Sequence, residues 1–168
     1  NDNMVLSNST LSNNTAGSDA EGLYVNSRNA YLNLTSVTFF ENSADYGGGL
    51  YVLLNNDNMT ITACTFSGNT ASTDGGGIYA GDDNANIILS SCTFTANEAN
   101  AEGGGLRIAS GNYAMAIASC VFTGNIARYG GGLLAKSSND YMTVTACTFS
   151  GNSANLNGGG MYADTSND

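Results

Sequence analysis

The chain has 168 residues, of which 42% are hydrophobic, 11% are charged and only four are basic, so its net charge is −10. A nucleic-acid-binding protein needs a basic stripe that pairs with phosphates, so this composition excludes nucleic acid as a partner. The negative charge also disfavours binding to an anionic membrane surface, and binding to a polyanionic sugar unless calcium bridges the two. No apolar run approaches the 18 residues of a membrane-spanning helix, so direct membrane insertion is not expected.

The sequence repeats itself six times with a period of 27 to 28 residues. The most regular column is apolar and mostly aromatic: Leu11, Phe39, Phe66, Phe94, Phe122 and Phe149. Three residues after each of these positions lies an asparagine, in the column Asn14, Asn42, Asn69, Asn97, Asn125 and Asn152. A fixed period of this size is typical of a solenoid, in which each coil packs only on its neighbours.

Within one repeat, short alternations of apolar and polar residues predict three strands. In the third copy the inward residues of these strands are, in chain order, Met59 and Ile61, Cys64 and Phe66, and Ile78 and Ala80. The alternation slips by one residue between Ile61 and Cys64, so the chain must bend there, and the polar and glycine residues between the second and third strands are predicted to be turns. A column of alanines, from Ala16 to Ala154, adds one more inward position to every copy.

Stacked coils would place each inward residue on a like residue in the next coil, at the spacing of about 4.8 Å between neighbouring strands. The sequence therefore predicts an all-β, right-handed, single-stranded parallel β-helix of six coils with three short strands each, in which residues 1–168 form one solenoid domain. Helical repeats of similar length are the alternative, but no segment has a 3.6-residue period, and β-branched residues and glycines are too frequent for helices.

Asparagine, glycine and cysteine each fill a column with a structural interpretation. The asparagines are expected to form an internal ladder of amide hydrogen bonds rather than to contact a ligand or metal. The glycine triplets before the third strand are expected to allow positive φ or close packing, since phosphate binding would need a helix after them. The cysteines lack the C-x-x-C spacing of a zinc site, and in-register strands hold their Cβ vectors side by side, so we expect a buried ladder of free thiols at Cys64, Cys92, Cys120 and Cys147.

One column follows the apolar residue of the third strand and should point outward: Tyr24, Tyr51, Tyr79, Arg107, Leu134 and Tyr162. Stacked, exposed tyrosines either bind sugar rings or cover the face of a sheet by aromatic pairing, and the sequence leaves both interpretations open. No cofactor is expected except calcium, because acidic residues gather near the glycine turns, with weak candidate ligands at Asp74, Asp82 and Asp83. The nonapeptide calcium repeat is absent, so solvated turn charge is the alternative.

Catalysis has little support in the sequence. The chain contains no histidine, so neither a Ser-His-Asp set nor a histidine metal ligand is available. Paired carboxylates could serve a glycosidase, and an aspartate with an arginine could serve a lyase, for which Arg107 is the only plausible centre. All coils have nearly the same length, and no irregular loop is long enough to build a cleft, so the chain is not expected to be an enzyme and no catalytic residue is assigned.

Two motifs carry a resemblance to a known family. The motif F-x-x-N is followed by G-G-G-[IL] in most copies, and it occurs at Phe66–Asn69, Phe94–Asn97, Phe122–Asn125 and Phe149–Asn152. Together they resemble the polymorphic outer-membrane protein repeat of chlamydiae, whose motifs are F-x-x-N and G-G-A-[ILV], with glycine here in place of the alanine. The resemblance covers nearly the whole chain and implies a β-helix displayed at a cell surface, often as an autotransported passenger or adhesin. It implies no catalytic residue.

The repeat pattern starts near Asn1 and stops at the equivalent point, at Asp168, without a capping helix. Bare sheet edges template association, so we expect an excerpt of a longer solenoid or a unit that stacks head to tail. The main functional hypothesis is an extracellular or cell-surface stalk, fibre or adhesin, with a glycan or a host surface as a possible ligand. The alternatives are a carbohydrate-binding module that uses the tyrosine column and a polysaccharide lyase or hydrolase. Sequons that would matter only in a eukaryotic source lie at Asn8, Asn13, Asn33 and Asn58.

Overall fold

The computed structural model describes residues 3–15, 17 and 22–164, and within these ranges every regular element is a β-strand. Most strands are three residues long, which is the length of one straight side of a coil. In chain order they are β1 (Val5–Ser7), β2 (Thr10–Ser12), β3 (Leu23–Val25), β4 (Asn33–Thr35), β5 (Thr38–Phe40), β6 (Ser43–Tyr46), β7 (Leu50–Val52), β8 (Thr60–Thr62), β9 (Thr65–Ser67), β10 (Thr70–Asp74), β11 (Ile78–Ala80), β12 (Ile88–Ser90), β13 (Thr93–Thr95), β14 (Glu98–Ala99), β15 (Leu106–Ile108), β16 (Ala116–Ala118), β17 (Val121–Thr123), β18 (Ile126–Tyr129), β19 (Leu133–Ala135), β20 (Thr143–Thr145), β21 (Thr148–Ser150), β22 (Ser153–Asn157) and β23 (Met161–Ala163).

Strands of successive coils pair in parallel and form four sheets that run along the stack. Sheet 1 has the order β1-β4-β8-β12-β16-β20, sheet 2 has β2-β5-β9-β13-β17-β21, sheet 3 has β6-β10-β14-β18-β22 and sheet 4 has β3-β7-β11-β15-β19-β23. The pairing is in register, so that Phe66 lies opposite Phe94 and Ile78 lies opposite Leu106. The chain is therefore a parallel β-solenoid of about six coils, as the repeat predicts.

Each complete coil has four strands, one more than the sequence predicts. The additional strand, for example β10 (Thr70–Asp74), lies in the segment predicted to be a turn. Its inward residue is an alanine, and Ala71, Ala99 and Ala127 form their own buried cluster. A single inward methyl group is too weak a signal for period-two alternation to reveal a strand. Ala16, the first alanine of this column, lies outside the described residues.

A left-handed residue turns the chain where sheet 1 meets sheet 2. It is a serine or an alanine with φ between 51° and 54° in five coils, at Ser36, Ala63, Ser91, Ser119 and Ala146. This conformation costs a residue with a side chain about 1–2 kcal/mol, so the packing of neighbouring coils must hold it in place. The bend that the sequence predicts between Ile61 and Cys64 is thus confirmed, at Ala63.

Like side chains stack in columns to form the core. Neighbouring phenylalanine rings have centroids 4.5–5.0 Å apart and interplanar angles of 3–6°, and they belong to Phe39, Phe66, Phe94, Phe122 and Phe149. The predicted inward residues of the third coil are also buried, and each is at most 3% exposed: Met59, Ile61, Cys64, Phe66, Ile78 and Ala80. Full burial of one large apolar side chain stabilises the fold by about 1.5–3 kcal/mol, so the columns are the main source of stability.

The glycine triplets have both of the roles expected of them. The first glycine of each triplet has a positive φ, between 59° and 68°. The other two glycines permit close contact between coils. A Cβ on Gly76 would lie 2.5 Å from the carbonyl oxygens of Glu98 and Gly104, and one on Gly77 would lie 2.4 Å from that of Gly105. The backbones of neighbouring coils therefore approach too closely for any side chain at these positions.

Sheet 3 absorbs one-residue differences in length between coils. Ala71 pairs with Ala44, but the next paired residues are Asp74 and Tyr46, so β10 has one residue more than β6 over this stretch. A similar shift occurs where β18 pairs with β22. A β-bulge inserts one residue into one strand of a pair, and here it lets coils of both lengths stack while the other sheets keep their register.

Removal of one ring from the phenylalanine column is expected to cost much of the stability. Phe94→Ala would leave a cavity between Phe66 and Phe122, and the free energy of unfolding should fall by about 3–5 kcal/mol. Urea denaturation followed by circular dichroism measures this change. Thr95→Ala, on the outward side of the same strand, is the control and should stay within about 0.5 kcal/mol of wild type. Equal losses in the two variants would contradict a core built on stacked rings.

Candidate functional site

The predicted asparagine ladder is present and uses both polar atoms of each side-chain amide. The side-chain oxygen of Asn97 accepts hydrogen bonds from the backbone N–H and the side-chain amide of Asn69, at 3.1 and 2.9 Å. The amide of Asn97 donates to the side-chain oxygen of Asn125 and to the carbonyl oxygen of Phe66, each at 2.9 Å. The ladder residues of the central coils are at most 1% exposed. Because its polar atoms are satisfied and buried in the central coils, this column has a structural role.

A second asparagine ladder, missing from the sequence-based predictions, joins the loops between sheets 4 and 1. The backbone N–H of Asn84 donates to the side-chain oxygen of Asn112 at 3.0 Å, and that of Asn56 donates to Asn84 at 2.7 Å. The side-chain amide of Asn84 donates to the carbonyl oxygens of Leu53 and Gly81, at 3.0 and 2.9 Å. The signal that could have revealed it is an asparagine at the repeat period inside otherwise variable loops, at Asn29, Asn56, Asn84, Asn112 and Asn139.

The tyrosine column points away from the core but does not form an open platform. Tyr24 is 40% exposed, whereas Tyr51 is only 8% exposed and Tyr79 is half-buried. Tyr46 in sheet 3 covers the column from the side, with its ring centroid 6.2 Å from that of Tyr51 and 5.5 Å from that of Tyr79. The rings of Tyr51 and Tyr79 meet edge to face, at 4.8 Å and 79°. Of the two interpretations that the sequence leaves open, aromatic pairing therefore describes Tyr51 and Tyr79, and the expected exposure is wrong for Tyr51.

A cluster of charged side chains lies where Arg107 replaces tyrosine in this column. Nε of Arg107 lies 3.4 Å from Oε2 of Glu102 and 3.9 Å from Oδ2 of Asp74. Nζ of Lys136, in the next coil, lies 2.6 Å from Oε1 of Glu102. The four side chains are 12–29% exposed, so solvent and salt screen their attraction less than that of a fully exposed pair.

Arg107 is engaged by this cluster on several sides. Its guanidinium carbon lies 4.5 Å from the ring centroid of Tyr79, a cation–π contact. Its Nη1 atom is buried and has no hydrogen-bond partner among the described residues. Burial raises the pKa of Asp74 against the attraction of Arg107, and burial also raises the pKa of Tyr79. An arginine held in this way has little surface for a substrate carboxylate, so the geometry gives no support to a lyase centre.

The three weak calcium candidates do not converge on one point. Asp74 faces Arg107, whereas Asp82, in the loop after β11, accepts a hydrogen bond from the backbone N–H of Ser110 at 3.0 Å. Asp83 lies beside it in the same loop, with a φ of 55°. In the ranges 3–15, 17 and 22–164, no three Cys, Asp or Glu side chains are grouped so that they could hold a metal ion. Calcium needs six to eight oxygen ligands, far more than this loop brings together.

The four cysteines are free and lie in one column beside the left-handed corner. Cys64, Cys92 and Cys120 are at most 1% exposed, whereas Cys147, in the last described coil, is partly exposed. Val37 occupies the same column in an earlier coil and is fully buried. Interaction with the Cys92 thiol lowers the pKa of Cys64, and that of Cys120, to about 7. Interaction with Cys120 and Cys64 raises the pKa of Cys92, and burial raises the pKa of Cys147, so the reactive thiolate form is favoured only at Cys64 and Cys120.

The asparagines of the four sequons all lie at the surface: Asn8, Asn13, Asn33 and Asn58. Three of them have a positive φ, from 46° to 56°, and therefore lie at turns, while Asn33 begins β4. Exposed turns are accessible to glycosylation in an organism that modifies such sites.

A shallow depression of about 250 Å³ lies beside the charged cluster. It is lined by Glu102, Tyr129, Lys136, Tyr162 and Asp164, so it includes the last tyrosine of the predicted column. The ring centroids of Tyr129 and Tyr162 are 6.0 Å apart, and the rings are tilted by 44°. The depression thus combines two aromatic rings with charged groups of both signs.

Comparison with known proteins yields one family match. Residues 1–168 match the sequence model of a protein family described as a right-handed beta helix region. Neither the curated proteins nor the solved structures include a significant match. In the described part of the chain, no helix has the length and apolar character needed to cross a membrane.

Burial of Asp74 is expected to make stability fall as the pH rises from the acid range. A carboxyl group whose folded-state pKa is raised favours folding while it is protonated, below its ordinary value of 3.8, and this advantage is lost as the pH rises through the raised value. Asp74→Asn should therefore remove part of the loss between about pH 4 and neutral pH. Thermal unfolding at a series of pH values measures the slope, with Asp82→Asn as a control that also removes a carboxylate bonded to a backbone N–H. Identical slopes in the two variants would contradict the role given to Asp74.

Proposed function

The chain belongs to the right-handed β-helix family, and we propose that it is a non-catalytic structural protein of the cell exterior, which forms a rigid stalk or the shaft of an adhesin. The observation that carries this proposal is the continuity of the buried ladders. Equivalent asparagine hydrogen bonds recur in coil after coil, from Asn14 to Asn152. Because each coil is also bonded to its neighbours through four sheets, the stack resists bending and serves well as a spacer.

The direction of the asparagine ladder fits further coils on either side of the described stack, from a longer chain or from a second copy. Each asparagine donates its backbone N–H to the side-chain oxygen of the asparagine in the following coil, as Asn125 does to Asn152 at 3.0 Å. The last described coil is therefore oriented to donate to a following coil, and Asn14 is oriented to accept from a preceding one. A second copy stacked in register would extend both the ladder and the sheets by parallel strand addition.

The apolar columns fit such further coils in the same way. Met161, in the last described coil, is 36% exposed, whereas Leu133, its partner one coil earlier, is fully buried. Val144 and Phe149 are likewise only partly buried, although they continue columns that are buried elsewhere. A further coil placed on them, whether from a longer chain or from a second copy, would remove this apolar surface from water, and each square ångström buried contributes about 25 cal/mol.

The repeat motifs support a position at a cell surface. F-x-x-N supplies the phenylalanine column and the asparagine ladder, and the glycine triplet lets the coils touch. Their resemblance to the outer-membrane repeat of chlamydiae favours display outside a cell. The alanine of that family would fall at the third glycine, where a Cβ on Gly77 would lie 2.4 Å from a carbonyl oxygen, so we relate the chain to the broader repeat family.

Self-association should depend on the inward side of the last described coil. Val144→Lys places a charge where a following coil would pack its apolar residue, and an inward lysine blocks strand addition. Burial of an unpaired charge at the contact should cost at least about 1.4 kcal/mol of association free energy. That loss corresponds to assembly at least tenfold weaker than in wild type. Sedimentation velocity over a range of concentrations measures assembly, and electron microscopy should show rods for wild type alone.

The matched control is Thr143→Lys, which adds the same charge to an exposed position of the same strand. It should assemble as wild type does. Discrete wild-type monomers at high concentration, or equal assembly of the two lysine variants, would contradict the stacking of copies.

Carbohydrate binding is a second candidate function, and the depression beside Tyr162 favours it. Two tilted tyrosine rings with Glu102, Lys136 and Asp164 around them offer apolar faces for a sugar ring and polar groups for its hydroxyls. The site lies on the outside of the stack, so it is compatible with an adhesive shaft. Of the tyrosine column that the sequence predicts, this site includes only Tyr162, because Tyr46 covers the column at Tyr51 and Tyr79.

A glycan array probed with wild type and tyrosine variants tests this candidate. Tyr129→Ala and Tyr162→Ala should each weaken binding about tenfold, because an aromatic contact contributes about 0.5–1.5 kcal/mol beyond its buried area. Tyr113→Ala and Tyr141→Ala are the controls, since these exposed rings also form a pair, 5.2 Å apart, on different loops. The site is excluded if wild type binds no glycan or if all four variants bind alike.

A further inference from the structure

The four sulfur atoms repeat in space with the coils. Each thiol donates to the carbonyl oxygen two residues before it, over 3.3–3.4 Å. Each also contacts a carbonyl oxygen in the preceding coil, over 3.3–3.8 Å, as Cys92 does with Ile61. Equivalent partners require equivalent side-chain conformations, so neighbouring sulfurs are related by the step from one coil to the next.

That step is the spacing of paired parallel strands, about 4.7–4.9 Å. The residues after the cysteines pair in register, Thr65 with Thr93, Thr93 with Val121, and Val121 with Thr148. A sulfur separation of this size is more than twice the disulfide bond length of about 2.05 Å. It is about twice a metal–thiolate bond, which is about 2.3 Å for zinc. A metal ion midway between two neighbouring sulfurs would therefore have both at bonding distance in a straight line.

We propose that the thiol ladder binds soft cations that accept two thiolates in a line, and that mercury(II) is the best match. One ion bridges Cys64 and Cys92, and a second bridges Cys120 and Cys147. Zinc is disfavoured, because structural zinc takes four ligands at tetrahedral angles, whereas a point between two neighbouring coils has only two thiols beside it. Thiolates select soft ions over the hard cations that bind to carboxylates.

Binding exchanges protons for the metal without electron transfer. At each site two S–H bonds break, two S–Hg bonds form and two protons leave for solvent. The two thiolates offset the two positive charges of the ion, and this neutral product suits an apolar column, where an uncompensated charge would be costly. Cys64 and Cys120, whose pKa values are lowered to about 7, supply one thiolate to each site, and the metal must displace the proton from Cys92 or Cys147, whose pKa values are raised.

Two variants that each keep two buried thiols provide the test. Cys120→Val/Cys147→Val keeps the neighbouring pair Cys64 and Cys92, whereas Cys92→Val/Cys147→Val keeps Cys64 and Cys120, which lie two coils and about 9.5 Å apart. Valine suits the column, because Val37 occupies it with 0% exposure. Competition with a small dithiol should show two mercury(II) ions bound to wild type and one to the neighbouring pair. The separated pair should bind more than a hundredfold more weakly.

Circular dichroism checks that each variant is folded, and thermal unfolding shows which state binds the ion. An ion held by the folded chain raises the melting temperature of wild type and of the neighbouring pair but not of the separated pair. Equal affinity in the two variants, or a melting temperature that falls on binding, overturns the proposal. If a variant does not fold, X-ray absorption of mercury-loaded, folded wild type decides: two sulfur neighbours per mercury support the proposal, and any other number overturns it.

Discussion

In-register pairing of each coil with the next, at the fixed spacing of parallel strands, is the constraint on which the rest of the structure depends. A side chain that points inward must pack on the same column above and below, so a column holds residues that stack on their own kind. Phenylalanine rings and asparagine amides do so. The left-handed corners at serine and alanine are maintained for the same reason, because the coils on either side turn at the equivalent residue. A coil alone would have none of this support.

The sequence was sufficient to predict the columns of inward residues and therefore most of the fold. Large apolar residues at Met59, Ile61 and Phe66 alternate clearly enough to define strands and their inward sides. The strand around Ala71 escaped prediction because one methyl group gives little contrast against polar neighbours. The second asparagine ladder was not predicted, because its residues, such as Asn84, lie in loops of variable sequence, where their spacing at the repeat period is the only signal.

The surface clusters could not be predicted, because they depend on long side chains that cross between coils. Lys136 and Glu102 are 34 positions apart and meet only because successive coils bring their outward sides together. Tyr46 and Tyr79 pair across the corner between sheets 3 and 4, which the three-strand interpretation does not contain. Their contacts change a column that would be open in a simple stack into a packed aromatic surface.

The bulges in sheet 3 have a consequence for how such a chain can evolve. Since a coil with an extra residue stacks as well as one without it, each coil is an interchangeable module whose contacts are set by its columns and not by its number in the series. Duplication or loss of a whole repeat would leave every remaining ladder, corner and ring stack as it was. The length of the molecule is therefore open to selection independently of its stability per coil and of the residues displayed on its surface.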